Sequence, residues 1–82
     1  MTITIDILLW SGRGEDSRLS EGHYDHDKSG NQHYITRPFD KVEAVEYIRN
    51  MQLVLGKPFL MKIDNGERWG YRWSSAYLNQ CK

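Results

Sequence analysis

The chain has 82 residues, of which 39 % are hydrophobic and 27 % charged. A chain of this length holds one small core and buries about 60 to 65 % of the surface its unfolded form exposes; its composition is too apolar for a disordered tail and too polar for a membrane-spanning protein. Eleven basic and eleven acidic residues cancel, so the strongly basic balance of a simple nucleic-acid binder is absent.

No apolar run approaches the about 18 residues of a transmembrane helix. The stretch Met1-Thr2-Ile3-Thr4-Ile5-Asp6 lacks a basic n-region and carries an acid at position six, so no secretory signal is expected. A lone cysteine, Cys81, excludes an intramolecular disulfide and fits a reducing, cytoplasmic setting. The charge is unevenly spread. Residues 1–35 hold six acids and three bases, whereas residues 36–82 hold eight bases and five acids. Such a dipolar field steers charged partners.

Residues 2–10 read as a strand. Ile3, Ile5, Ile7 and Leu9 share one face at period two, opposite Thr2, Thr4 and Asp6. Leu8 and Trp10 make its far end apolar on both faces, as in an inner strand. Residues 11–22 are a loop by composition. Gly12 and Gly14 follow the strand, but no Gly-Lys-Ser/Thr comes after them, so the signature of a phosphate loop is missing. Residues 23–37 read as a hairpin around Asp27-Lys28-Ser29-Gly30-Asn31, with Gly30 or Asn31 left-handed. Pro38 ends it.

Residues 40–55 form the best-defined helix. Asp40 is the N-cap, Glu43 completes a capping box, and Gly56 is the C-terminal stop. Ala44, Tyr47, Ile48, Met51 and Leu55 make its apolar stripe. Val42 and Leu53 lie off that stripe. Residues 58–64 and 67–74 form a second hairpin. Phe59, Met61 and Ile63 alternate on one side, and Trp69, Tyr71 and Trp73 on the other. A three-residue loop, Asp64-Asn65-Gly66, would pair Met61 with Trp69 and Phe59 with Tyr71, placing both sets on one face. The three rings then join the core, with Arg68 and Arg72 on the solvated side. Residues 76–82 add a short turn or fray. Together these elements make one α+β domain over residues 1–82. It is a two-layer unit in β-β-β-α-β-β order, with a mainly antiparallel sheet and one helix on one face.

Chemistry has few footholds. Asp25, Asp27, Ser29 and Gly30 sit at early positions of a calcium loop, but Thr36 stands where the bidentate Glu belongs. His23, Asp25 and His33 could meet across the hairpin and take a transition metal. Polar, solvated histidines explain the segment as well. Cys81 lies next to the last residue of the sequence, a poor place for a rigid nucleophile. No catalytic, cofactor-binding or metal residue is assigned, and no cofactor is expected.

The expected function is therefore binding. The acids Glu15, Asp16, Glu21, Asp25 and Asp27, with Leu53, form the candidate partner surface for a larger protein or nucleoprotein complex with a basic surface. The alternative is a nucleic-acid-binding face of Lys62, Arg68 and Arg72 with neighbouring aromatics. A metal-binding protein at the histidine hairpin is the third reading. In size and lack of a catalytic signature, the chain is similar to the small inhibitors carried by phages and mobile elements, such as anti-CRISPR proteins. That likeness is one of size and implies a non-enzymatic inhibitor.

Overall fold

A computed structural model describes residues 2–9, 18–64 and 70–80. Among the described residues, five strands and two helices follow in the order β1 (Thr4–Leu9), β2 (Gly22–His26), β3 (Gln32–Thr36), α1 (Lys41–Leu55), β4 (Leu60–Asp64), β5 (Arg72–Trp73) and α2 (Ser74–Gln80). The sheet order is β2-β3-β1-β4-β5, and every neighbouring pair is antiparallel. This is the α+β architecture expected from the sequence, with a helix packed on the sheet.

The inner position of β1 explains its composition. Ile7 lies opposite both Tyr34 and Met61, and Ile5 lies opposite Ile63. These side chains meet Ala44, Tyr47, Ile48 and Met51 of α1 in one buried cluster, which also takes in Ile3, Leu9, Leu19, Phe39 and Phe59. The helix starts as its sequence dictates. The Asp40 carboxylate accepts the Glu43 N–H at 2.8 Å, and Glu43 returns the favour to the Asp40 N–H. Gly56 ends it with φ of 76°, a conformation that costs glycine little. Leu55 is only half-buried, at the end of the stripe.

The first hairpin turns at the expected residues. Gly30 adopts φ of 84°. Oδ1 of Asp27 accepts the N–H groups of Ser29 at 2.9 Å and Asn31 at 3.0 Å. This Asx-type arrangement fixes the turn locally.

The second hairpin departs from expectation. Leu60 pairs with Trp73 and Met61 with Arg72, instead of Met61 with Trp69 and Phe59 with Tyr71. An odd-numbered shift in register exchanges the faces. Tyr71 and Trp73 are therefore not core: they are 37 % and 50 % exposed on the face away from α1. Trp69, and the loop residues beyond Asp64, lie outside the described residues, as do Trp10 and Cys81.

Where residues 76–82 were expected to add a short turn or fray, residues 76–80 belong to a second helix that begins at Ser74. Ser74 is wholly buried. Its N–H donates to the Phe59 carbonyl at 2.8 Å, and its hydroxyl accepts the Phe59 N–H at 3.0 Å while donating to the side chain of Gln52. One serine thus joins β4, α1 and α2. Tyr77 and Leu78 add partly buried surface to the core.

Candidate functional site

The period-two alternation that sends Ile5 and Ile7 to the core sends Thr4, Asp6 and Leu8 to the opposite face. The register adds neighbours on that same face. Asp6 lies between Ile35 and Lys62, and Leu8 lies beside His33, which in turn faces Asp25. Together with Asp27 and Tyr71 they line an open groove of about 510 Å³.

His33 is the centre of this groove. Its Nδ1 lies 2.7 Å from Asp6 Oδ1 and its Nε2 lies 2.9 Å from Asp27 Oδ2. The Tyr71 hydroxyl sits 3.0 Å from both Asp6 Oδ2 and His33 Nδ1. Four separate segments therefore converge: β1, β3, the β2–β3 turn and the residue before β5. Asp27 is held by local structure, since its other carboxylate oxygen is anchored by the turn's own N–H groups.

The electrostatics follow from this geometry. Burial works against the His33 imidazolium, but hydrogen bonds to Asp27 and Asp6, with their charges, outweigh it and raise the pKa above the ordinary 6.5. Asp27 moves the other way. Its hydrogen bond to His33 lowers it below 3.8, against a smaller opposing effect of burial. Tyr71 is pushed up, first by burial and then by the Asp6 carboxylate, so its hydroxyl stays a proton donor. Lys62 Nζ lies 5.6 Å from the Tyr71 ring centre, within cation–π range. With both ring nitrogens engaged, His33 bridges the two carboxylates of Asp6 and Asp27.

The expected partner-binding acids separate. Asp25 is exposed at the groove, where its Oδ1 accepts the His26 N–H at 2.8 Å. Asp27 is committed to the turn and to His33. Glu21 lies at the start of β2, paired with Arg37 at 2.6 Å. Glu15 and Asp16 lie outside the described residues. Leu53 is 76 % exposed and Val42 68 %, both on α1, which covers the other face of the sheet. The basic set is not one surface. Lys62 pairs with Asp6 on the groove face, whereas Arg72 pairs with Met61 on the core face and donates to Gln80 Oε1 at 3.1 Å. Arg68 lies outside the described residues. His23 and Asp25 share the groove face with His33, but the described residues hold no cluster of three His, Cys, Asp or Glu side chains placed to grip a metal ion.

Sequence reasoning missed Asp6 as part of a site, and placed Tyr71 in the core or, in the alternative, among base-stacking aromatics. The signal for Asp6 was present: a carboxylate in an inner strand otherwise flanked by Ile and Leu needs a partner. Compared with protein-family models, with curated proteins and with solved structures, the chain gives no match.

Proposed function

We propose that this chain is a non-enzymatic interaction protein whose groove face receives a basic segment of a larger protein or nucleoprotein partner in a reducing, cytoplasmic setting, and thereby blocks that partner. One observation carries the reading. The face away from α1 sets the carboxylates of Asp6, Asp25, Asp27 and Asp64 against the ammonium of Lys62, next to the half-exposed rings of Tyr71 and Trp73. Acids give the attraction and orientation, and aromatic rings give contact area at low entropic cost. Catalysis lacks a comparable foothold, because the one buried histidine has no free nitrogen. Tyr71 and Trp73 also favour a second reading, stacking on nucleic-acid bases. The surrounding carboxylates count against it, since they repel phosphates.

The test is affinity capture of the tagged protein with nuclease treatment, using three proteins in parallel. Wild type and Leu53→Asp are expected to retain a nuclease-resistant partner, and Asp25→Lys/Trp73→Asp to lose it. Recovery that disappears on nuclease treatment, or that survives the groove variant, overturns the proposal.

A further inference from the structure

We propose that the Asp6–His33–Asp27–Tyr71 cluster is a proton-operated switch, in which loss of one proton from His33 exchanges the hydrogen-bond partners of Asp6 and Tyr71 and changes the charge that the groove presents.

The number of protons available decides which contacts are hydrogen bonds. Two carboxylate oxygens lie 2.7 and 2.9 Å from the two ring nitrogens. A carboxylate only accepts, so both contacts are hydrogen bonds only when both nitrogens carry hydrogen. In that state Nδ1–H donates to Asp6, Nε2–H donates to Asp27, and the Tyr71 hydroxyl donates to the other oxygen of Asp6. Neutral imidazole has one N–H. When the second proton leaves to water, one nitrogen presents a lone pair to a carboxylate and needs another donor.

The two sides of the ring differ in this respect. At Nδ1 a donor is already in place, the Tyr71 hydroxyl at 3.0 Å. At Nε2 the neighbour is Asp27, whose other oxygen is held by the N–H groups of Ser29 and Asn31. The proton therefore departs from Nδ1. Tyr71 turns its O–H from Asp6 to Nδ1, and Nε2–H stays on Asp27. Asp6 loses both donors. Its register partner on the same face is Lys62, whose ammonium stands near the Tyr71 ring, and Asp6 swings to it.

The groups facing His33 all enter this balance. Asp6 comes from β1, Asp25 from β2 directly opposite, Asp27 from the turn, Lys62 from β4 and Tyr71 from the residue before β5; His23 and His26 on β2 lie elsewhere along the same hairpin. Asp6 and Asp27 favour the protonated ring, and Lys62 opposes it. The raised affinity of His33 for its proton places the exchange above the ordinary imidazole range. Below it the His33 imidazolium offsets one of the two carboxylate charges of Asp6 and Asp27. Above it the groove gains one negative charge and an Asp6–Lys62 pair. Only the consequence for a basic partner rests on the binding role proposed above.

The experiment is a pH titration of the free protein, labelled with ¹⁵N at histidine, following the His33 ring nitrogens by NMR. Both nitrogens are expected to carry hydrogen at low pH, and only Nε2 above the transition. Tyr71→Phe, at an exposed position, removes the replacement donor and should shift the neutral ring from hydrogen on Nε2 toward hydrogen on Nδ1. Asp6→Asn removes a charge at 2.7 Å and should lower the midpoint by about one unit or more. Retention of hydrogen on Nδ1 above the transition in the wild type overturns the switch, as does a neutral-ring tautomer unmoved by Tyr71→Phe. Loss of partner binding in the capture experiment leaves the ring-nitrogen signals intact, so the two ideas fail separately.

Discussion

Replacing Ser74 with alanine removes a single oxygen from a site with no solvent access. That oxygen accepts the Phe59 N–H at 3.0 Å and donates to Gln52. Phe59 is itself buried, so water cannot readily take over the bond to its amide. A buried donor left without a partner costs about 1 to 3 kcal/mol, whereas Gln52, being half-buried, can turn its carbonyl toward water at a smaller cost. The sum is about 2 to 3 kcal/mol, which for a domain of this size lowers Tm by about 10 to 20 °C. Urea unfolding followed by tryptophan fluorescence, with calorimetry as a second probe, measures both quantities. The same variant should loosen α2, visible as faster amide exchange over residues 74–80. A loss under about 0.5 kcal/mol would refute the claim that this hydroxyl pins β4, α1 and α2 together, because it would lie within the range of an ordinary surface substitution.

Two further outcomes follow from backbone geometry and from the groove. A Cβ added at Gly22 would stand 2.2 Å from the Ile35 carbonyl oxygen, so Gly22→Ala must push β2 away from β3 and should cost about 2 kcal/mol or more in chemical denaturation; an unchanged midpoint contradicts the placement of that strand. Stability should also depend on pH through the central cluster. His33 has a raised pKa in the folded protein, so its contribution is complete below 6.5 and is lost as pH rises through the folded value; Asp27 is depressed, so its contribution is complete above 3.8 and is lost as pH falls through its folded value. Thermal unfolding across the pH range should show the alkaline decline flattened in His33→Gln, and equal slopes for the two proteins would count against the ion pairs.

The local parts of this fold were legible because they depend on residues a few positions apart. The alternation of Ile3, Ile5, Ile7 and Leu9, the Asp40–Glu43 box, the stop at Gly56 and the turn at Gly30 each state their own geometry. The apolar end of the first strand even announced an inner position. What sequence could not supply was the pairing between distant segments. The register of β4 with β5 depends on how many residues the connection takes up, and an odd shift moved Tyr71 and Trp73 from the expected core to the groove face. A helix of seven residues has little stability of its own, so α2 depends on the contacts that Ser74 makes with Phe59 and Gln52 and on the packing of Tyr77 and Leu78 against the core. The candidate site is the extreme case. Asp27 and His33 share one hairpin, but Asp6 and Tyr71 come from distant parts of the chain and sit in no recognisable motif. They meet because the order β2-β3-β1-β4-β5 sets β1 between β3 and β4, and because the pleat turns Asp6 and His33 to the same side. Sequence determined which faces would be apolar and where the helix begins and ends. Tertiary structure alone decided which of three histidines would be enclosed between two carboxylates, since that depends on pairing across the sheet and not on any residue's neighbours in the chain.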